Sequence, residues 1–348
     1  RDIDKKMISL EFGMSGDSFI FNGINVTVQV GEEFTVSNTY GKIKLDGLNT
    51  AKAEPVLTQD MFGNKRKALH VKNHREEILI FPTCNGIAIQ VTAENADKMQ
   101  RLKLLTEKKY GLWGNGRYSA LMIEDRQPYA TVNALCAKSD RFNHAVPIFC
   151  EMTETYYGYD LKIDLHNAGN LENSKITYSF TIGLYASKSI FDTTVESANP
   201  DMNNSYGGIA YIGNSKFFKE QWLYTRIDPA QLLDLKYFSV KRARLYAKKY
   251  DGDNPKVSIA RMNTPWCSFG NTWNTKTELG ALINQARLER NYLTADITEV
   301  VREMLRQGGD PDAGIVLKPE AAERLSMVVA TADNYYTPQI LEIKLLTD

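Results

Sequence analysis

The chain has 348 residues, of which 43% are apolar and 24% are charged, an ordinary composition for a globular protein with two domains. Its 42 basic and 42 acidic residues cancel, so no general field attracts nucleic acid or an anionic membrane. The sequence contains no apolar run of roughly 18 residues, which predicts no membrane insertion.

Period-two alternation of apolar and polar residues dominates the first half of the chain. Residues 18–28 predict a strand, a turn and a second strand. Residues 78–81 and 87–91 flank a turn-rich stretch and predict a hairpin, and residues 159–165 and 175–184 predict another. These patterns favour an antiparallel sheet structure.

The strand at residues 175–184 predicts one buried and one solvated face, as in an antiparallel sandwich. The solvated face would carry Thr177, Ser179 and Thr181. The one helix indicated in this half covers residues 95–106, with Asn95 as its cap. Residues 1–186 are therefore expected to form an all-β domain.

The composition changes at residues 186–204, which are rich in Ser, Asn, Asp and Pro and are typical of a junction. We place the domain boundary near Ala186, so that residues 187–348 form the second domain. Strand patterns continue there, and the fold class predicted for the chain is all-β, with two antiparallel β-sandwich or jelly-roll domains.

Few short helices are expected in the second domain. Residues 229–235 are compatible with one helical turn. A longer helix follows Thr298, which is in the position of an N-cap, with Glu299 in the first turn. Val300, Val301, Met304 and Leu305 would form its apolar stripe.

The second half carries an ordered series of short motifs: Asp192-Thr193, Asn199-Pro200-Asp201, Asn204-Ser205-Tyr206-Gly207, Arg226-Ile227-Asp228, Trp266, Thr272-Trp273-Asn274, Asp296-Ile297-Thr298, Gly314-Ile315-Val316-Leu317 and Pro338-Gln339-Ile340-Leu341. In this order they resemble the DNRLRE-type domain over residues 187–348. The resemblance implies a β-sandwich related to carbohydrate-binding modules and similar in fold to growth-factor propeptides. Three departures from that family are Arg226-Ile227-Asp228, where the family usually has Phe-Asp, the inserted Ser205, and the long charged stretch 275–294.

Signatures of catalysis are missing from the sequence, which has no Gly-x-Ser-x-Gly, Walker or His-Glu-x-x-His motif. His70 and His74 are spaced like metal ligands on a helix, but a strand or exposed loop fits their neighbours better. Cys150 and His144 have the residue types of a nucleophile and base, and nothing in the sequence orients them. We expect a protein that is not an enzyme.

The four cysteines, Cys84, Cys136, Cys150 and Cys267, show no Cys-x-x-Cys spacing, so we expect small buried apolar side chains. A disulfide between Cys136 and Cys150 is the alternative. The sequence begins at Arg1, and whether a leader was removed before it stays open.

Aromatic side chains in loops are the candidate ligand-binding residues, since the apolar face of a sugar stacks on an aromatic ring. The candidates are Tyr156, Tyr157 and Tyr159 near one turn, and Tyr335 and Tyr336 before the last strand. The same tyrosines are equally suited to anchor neighbouring subunits. Trp266 and Trp273 are expected in the core.

No cofactor is expected except a structural calcium ion, for which Asp192, Asn199, Asp201 and Asn203 offer oxygen ligands. The same residue types are ordinary turn formers. The 12-residue calcium loop pattern, which would favour the first interpretation, is absent.

Two functions follow from these patterns. The first is a non-catalytic surface adhesion or carbohydrate-binding protein, extracellular or at the cell surface, whose partner is a polysaccharide or glycan. The second is a structural component of a virion, phage tail or surface fibre, where neighbouring protein subunits or copies of the chain are the partners. Neither uses nucleic acid.

Overall fold

The structure is a computed structural model. It describes residues 11–346 except 16–17, 23–26, 31–32, 39–40, 49, 51, 83–85, 115–116, 124–127, 185–189, 228–238, 263, 265, 277–278, 307–313 and 335. The chain divides into two compact units, Met7–Ala186 and Ser187–Asp348, which we call the first and second units. Both are built from antiparallel strands, so the predicted all-β fold class is confirmed.

The strands of the first unit are β1 (Glu11–Ser15), β2 (Ser18–Asn22), β3 (Thr27–Val30), β4 (Phe34–Asn38), β5 (Gly41–Asp46), β6 (Glu54–Gln59), β7 (Lys65–Lys72), β8 (Glu76–Pro82), β9 (Gly86–Glu94), β10 (Met99–Thr106), β11 (Gly111–Gly114), β12 (Tyr118–Met122), β13 (Pro128–Ser139), β14 (Phe142–Pro147), β15 (Phe149–Glu154), β16 (Tyr159–Asp164) and β17 (Lys175–Leu184). The predicted hairpins are present as β2–β3 and β8–β9.

These strands form two sheets. The first has the order β1-β2-β3-β4-β5-β10-β16-β15, and the second has the order β11-β12-β13-β17-β9-β8-β7-β6 with β14 paired to β13. The two sheets are in contact, because Met152 N on β15 donates to Ser119 Oγ on β12 at 3.0 Å. Burial of each apolar side chain between the sheets contributes about 1.5–3 kcal/mol to stability.

Residues 159–165 and 175–184 form strands as expected, but the predicted hairpin between them is wrong. β16 pairs with β10 and β15 in the first sheet, whereas β17 pairs with β9 and β13 in the second. The connection contains the 3₁₀ turn His166–Ala168 and then Gly169, whose φ is +77°. It carries the chain from one sheet to the other, which a turn signal alone does not distinguish from a hairpin.

The predicted helix at residues 95–106 is also wrong, since its second part is the strand β10. Leu102 and Leu104 are buried while Arg101 and Lys103 are exposed, which is the period of a strand. The strand pairs with β5 on one side and β16 on the other. Tertiary pairing therefore overrides the weak helical spacing of its apolar residues.

The polar face predicted for β17 is mostly buried, and only Thr177 stays partly exposed. Ser179 and Thr181 are completely buried. Ser179 donates to Ile89 O at 3.0 Å, and its cross-strand partner Gln90 accepts a hydrogen bond from Met61 N at 2.7 Å. The turn between β6 and β7 thus packs over this face and removes most of it from water.

That turn is held by a buried carboxylate. Asp60 Oδ1 accepts hydrogen bonds from Phe62 N and Asn64 N at 2.9 and 3.0 Å, and Asp60 Oδ2 accepts one from Arg66 Nε at 2.8 Å. A buried charge is tolerated when it is paired and hydrogen-bonded in this way.

The second unit contains β18 (Ile190–Glu196), β19 (Ile209–Ser215), β20 (Lys219–Ile227), β21 (Val240–Gly252), β22 (Val257–Met262), β23 (Leu279–Glu289), β24 (Tyr292–Asp296), α1 (Thr298–Arg306), β25 (Gly314–Pro319), β26 (Ser326–Ala330) and β27 (Ile340–Leu345). Among the described strands, β20-β19-β26-β21-β24-β23-β22-β25 follow one another and β25 pairs back to β20, so eight strands close a ring. β18 and β27 pair with β20 and β21.

The long strand β21 joins the two sides of this ring. Its last residues, from Lys249 to Gly252, pair with β26, whereas its earlier residues pair with β24 and β27. Its inward side chains, Ala243, Leu245 and Ala247, enter the main core together with Ile259 and other buried apolar residues.

α1 begins at Thr298 and buries Val300, Val301 and Met304, as the apolar stripe predicted. The predicted cap is wrong by one position, because Val301 N donates to Ile297 O at 3.0 Å, which makes Ile297 the N-cap residue. The hydroxyl of Thr298 instead donates to Asp296 Oδ1 at 2.6 Å.

The helical turn predicted at residues 229–235 lies outside the described residues. No α-helix in the described part of the chain is both long and apolar enough to cross a membrane.

Candidate functional site

The outer face of four neighbouring strands, β23, β24, β21 and β27, carries the candidate site of the second unit. Ala243 and Leu245 on β21 point into the core. Because side chains alternate along a strand, Arg242, Arg244 and Tyr246 lie on the opposite face.

The antiparallel register brings further polar residues to this face. Arg244 is the cross-strand partner of Asp296 and of Glu342, and Lys248 is the partner of Tyr292. Tyr292 is in turn the partner of Glu289 across the β23–β24 hairpin. We define the tyrosine–arginine face as Arg242, Arg244, Tyr246, Glu289, Arg290, Tyr292 and Glu342.

Two half-buried aromatic rings form the centre of the tyrosine–arginine face. The ring centroids of Tyr246 and Tyr292 lie 6.3 Å apart with an interplanar angle of 89°, an edge-to-face arrangement. The Lys248 Nζ atom lies 4.8 Å from the centroid of the Tyr292 ring. These contacts hold the two rings in defined orientations while part of each surface stays in contact with solvent.

Charged groups of both signs surround the rings. Arg242 Nη2 donates to Glu342 Oε1 at 3.1 Å. Arg244 approaches Glu289 at 3.7 Å and Asp296 at 4.0 Å, which is beyond hydrogen-bonding distance. The N–H groups of the Arg244 guanidinium can therefore donate hydrogen bonds to a ligand without breaking a short hydrogen bond to Glu289 or Asp296.

The hairpin turn beside Tyr292 has a strained backbone. Arg290 and Asn291 have φ values of +48° and +65°, as two-residue type I′ turns require. Asn tolerates this region, whereas a long side chain such as Arg costs about 1 kcal/mol there. The turn places Arg290 at the edge of the groove described next.

An open groove of about 440 Å³ runs along this face. Its lining residues are Tyr246, Glu289, Arg290, Tyr292, Ile340 and Glu342. Ligand sites typically measure about 300–1,000 Å³ and combine apolar rings with a few polar groups. The groove can therefore take one or two sugar-sized units, with rings below them and donors and acceptors at the sides.

The sequence contained part of the signal for this site. Arg242, Arg244 and Tyr246 occupy every second position in the sequence, which fits one face of a strand. The contribution of Tyr292 and Glu342 depends on cross-strand register, which no local pattern specifies.

The tyrosines selected from the sequence near the first turn differ in exposure. Tyr156 and Tyr157 are 84% and 82% exposed at the tip of the β15–β16 hairpin, with their ring centroids 4.9 Å apart. Tyr159 is only 1% exposed, so its expected role as an exposed platform is wrong. It begins β16 in phase with the buried residues Leu161 and Ile163, which explains its inward direction.

The second tyrosine pair lies before β27. Tyr335 lies outside the described residues. Tyr336 is buried, and its backbone N donates to Asn334 Oδ1 at 3.0 Å, so the expectation of an exposed ring does not hold for it.

The four residues considered for calcium have hydrogen-bonding partners in the protein. Asp192 accepts a hydrogen bond from Ala332 N, and Asn199 Nδ2 donates to Glu196 Oε1 at 2.8 Å. Asp201 Oδ1 accepts from Asn274 Nδ2 at 2.7 Å, and Asn203 Nδ2 donates to Asn271 O at 3.0 Å.

An amide nitrogen cannot ligate calcium, so Asn199 and Asn203 offer at most their carbonyl oxygens. Within the described ranges, no group of three or more His, Cys, Asp or Glu side chains is placed to hold a metal ion. The calcium site stays a prediction.

The residue types associated with catalysis are dispersed. Cys150 is completely buried, and this burial raises the pKa of its thiol to about 12, which disfavours the reactive thiolate. His70 lies on β7 with Nε2 2.7 Å from Glu77 Oε1, in agreement with the expected strand.

Comparison with known proteins gives no family for this chain. No protein-family model matches it, and no curated protein matches it significantly. The resemblance of residues 187–348 to the DNRLRE-type domain therefore remains an expectation based on the motifs.

Proposed function

We propose that this chain is a non-catalytic carbohydrate-binding protein that holds a glycan on the tyrosine–arginine face. The observation that carries the proposal is the combination of two fixed, half-buried tyrosine rings with arginine and carboxylate groups along one open groove. A protein of this kind acts in adhesion outside the cell or at its surface.

The chemistry of the face suits a neutral sugar. Each pyranose ring has an apolar C–H face that packs on an aromatic ring and hydroxyl groups that both donate and accept hydrogen bonds. Arg244 and Arg290 supply donors, and Glu289 and Glu342 supply acceptors. The groove is open to solvent, which allows a longer polymer to extend beyond it.

The test is a glycan array with the full chain, followed by calorimetry with the neutral oligosaccharide that binds best. Tyr292→Ala and Tyr246→Ala should each weaken binding by about tenfold or more, as loss of a central aromatic contact does. Tyr156→Ala removes an equally large but more exposed ring in the first unit, and it should leave the affinity unchanged.

Arg290→Gly separates binding from folding. The substitution removes the strained side chain and should stabilise the protein by about 1 kcal/mol. If Arg290 contacts the glycan, affinity should fall although stability rises. An array without hits, or affinity that depends on Tyr156 instead of Tyr292, would contradict the proposal.

A second candidate function is a structural subunit of a virion, phage tail or surface fibre. It is favoured by the exposed pair Tyr156 and Tyr157, and by Leu57, which is 82% exposed on β6. Among the described strands, β6 is the end of its sheet and pairs only with β7. Such an edge is suited to contact a neighbouring subunit.

Sedimentation and electron microscopy of the full chain distinguish the two functions. A structural subunit should form rings or fibres, and Leu57→Lys together with Tyr156→Ala should disperse them. A carbohydrate-binding protein should stay monomeric in both forms.

A further inference from the structure

The loop of residues 264–276, of which 265 is not among the described residues, covers part of the outer side of the sheet that contains β20, β22 and β25. Asn203 Nδ2 donates to Asn271 O at 3.0 Å, and Asn274 N donates to Pro200 O at 3.0 Å, which fix the loop against its neighbours. A small core of Val195, Tyr224, Ala260, Met262, Trp266 and Val316 lies beneath it.

Two half-buried indole rings stand at the rim of this small core. The ring centroids of Trp222 on β20 and Trp273 in the loop lie 5.2 Å apart with an interplanar angle of 59°. Trp222 Nε1 donates to Glu220 Oε1 at 2.7 Å, which fixes the orientation of that ring. Trp273 was expected in the core, and it packs against this core with part of its surface in solvent.

Two lysines lie over these rings. Lys276 Nζ is 3.9 Å from the Trp273 centroid and 5.5 Å from the Trp222 centroid, and Lys318 Nζ is 5.0 Å from the Trp222 centroid. We define Trp222, Trp273, Lys276 and Lys318 as the tryptophan–lysine cluster.

The two lysines of the cluster form no short ion pair with a carboxylate of the described residues. In the described part of the chain, neither Lys276 nor Lys318 has a carboxylate oxygen within 4.0 Å, although Glu220 lies close by on β20. The hydrogen bond described for Lys276 Nζ goes to Trp273 O at 2.7 Å, and an ammonium has three donors. Burial lowers the pKa of Lys276, and the charge of Glu220 partly opposes this shift.

We infer that the tryptophan–lysine cluster is a second binding site, for an anionic sugar that bears a carboxylate or sulfate group. Its two ammonium groups complement the anion, and the solvent-exposed parts of the two indole rings complement the apolar part of the sugar. The inference rests on the proposed function only in taking the ligand to be a carbohydrate, since the site shares no residue with the tyrosine–arginine face.

The site also has a built-in counter-charge. Glu220 would repel an anion next to Lys276, so it limits affinity. Replacing it by Gln keeps an oxygen that accepts the Trp222 Nε1 hydrogen bond while removing the negative charge.

The experiment titrates the full chain with polygalacturonate, dextran sulfate and neutral dextran, and follows tryptophan fluorescence and calorimetric heat. Both lysines are replaced separately by Met, which keeps the apolar stem on the indole. Lys276→Met and Lys318→Met should each lower the affinity for the anionic polymer about tenfold, as loss of a charged interface partner does. Neutral dextran should leave the tryptophan fluorescence unchanged.

Two further variants make the result specific. Glu220→Gln should raise the affinity for the anionic polymer several-fold. Because a gain of affinity does not arise from misfolding, this variant keeps the test valid if a lysine variant folds poorly. Lys248→Met is the matched control, because Lys248 also lies over an aromatic ring, that of Tyr292, but belongs to the other face. It should leave anionic binding unchanged.

The comparison of polygalacturonate with dextran sulfate shows whether the carboxylate or the sulfate is the preferred anion. Unchanged affinity in both lysine variants, binding of neither polymer, or tighter binding of an oligothymidylate than of either polysaccharide would overturn the inference. Loss of neutral-glycan binding in Tyr292→Ala with anionic binding intact would show that the two sites are separate. Sensitivity to the lysine variants alone would refute the proposed function and leave this inference standing.

Discussion

Tyr159 makes two hydrogen bonds with the backbone of Tyr110, accepting one from Tyr110 N at 2.9 Å and donating one to Tyr110 O at 2.8 Å. A single phenol thereby satisfies both main-chain polar groups of a residue 49 positions away in sequence. Tyr110 in turn stacks on Tyr129 with ring centroids 4.0 Å apart. The β15–β16 hairpin is thus tied to the segment before β11.

Tyr159→Phe should destabilise the first unit by about 1–3 kcal/mol, because it leaves a backbone donor and acceptor of Tyr110 without their partner. Guanidinium denaturation monitored by circular dichroism measures the change. Tyr156→Phe removes a hydroxyl from an 84% exposed ring of the same hairpin and should change stability by less than about 0.5 kcal/mol. Equal effects of the two variants would contradict the assigned role of Tyr159.

Gly213 on β19 is required by its surroundings. Its φ is +122°, and a Cβ atom there would lie 2.2 Å from Leu325 O. Gly213→Ala should therefore destabilise the second unit by more than about 2 kcal/mol, since strain and a backbone clash add. Thermal unfolding gives the measurement.

Gly207 is the matched control for Gly213 in the same unit. A Cβ atom at Gly207 would meet Asn204 O at 3.5 Å, an ordinary contact. Gly207→Ala should change stability by less than about 1 kcal/mol. A tolerated Gly213→Ala variant would contradict the close approach of Leu325 O to Gly213.

Tyr224 carries a buried hydroxyl that has no hydrogen-bonding partner among the described residues. Tyr224→Phe removes the cost of desolvating this group and should leave stability at pH 7 unchanged or raise it by about 1 kcal/mol. Chemical denaturation at pH 7 tests this, and a loss above about 1 kcal/mol would indicate an overlooked partner.

The same tyrosine predicts an alkaline effect. Burial raises the pKa of Tyr224 above its ordinary value, as it does for Tyr178 and Tyr206. The phenol therefore ionises more easily in the unfolded state, where its pKa is about 10, than in the folded state. Below that pH the stability of the folded state does not depend on this ionisation. Above it, the free energy of unfolding falls by up to about 1.4 kcal/mol per pH unit for each group. Denaturation midpoints between pH 9 and 11.5 should fall less steeply in Tyr224→Phe than in wild type.

The cysteines should differ sharply in reactivity. Cys136 and Cys150 are buried, and the raised pKa of Cys150 keeps its thiol protonated at pH 8. Cys267 is exposed. Iodoacetamide treatment followed by peptide mass spectrometry should label Cys267 within minutes and spare Cys136 and Cys150 until denaturant is added. Rapid labelling of Cys150 in the folded protein would contradict its burial.

The sequence predicted the elements whose signal is local. The hairpin of β8 and β9 combines period-two alternation with a central turn, and both features lie within 14 residues, which is why it was predicted correctly. Residues 95–106 were ambiguous, because Met99, Leu102 and Leu105 fit a helix while Leu102 and Leu104 fit a strand. Pairing with β5 and β16 decided between the two periods.

Features that depend on distant partners could not be predicted. The destination of β17 in the second sheet is set by β9 and β13, not by the turn that precedes it. Tyr159 alternates with Leu161 and Ile163, and this spacing did indicate that its side chain is buried. The interpretation as an exposed residue relied instead on its closeness to Tyr156 and Tyr157 in the sequence. Lys276 lies over the Trp222 ring because the loop between β22 and β23 packs against β20. No spacing of residues in the sequence predicts such a contact.

Closure of the eight-strand ring limits how the second unit can polymerise. Among its described strands, only β18 and β27 pair on a single side, and they contain seven and six residues. Few unpaired backbone amides are thus available in the second unit for a strand of a neighbouring molecule to pair with. In the first unit, β6 offers an open edge. Resistance to amyloid-like growth is thus expected to be greater in the second unit than in the first.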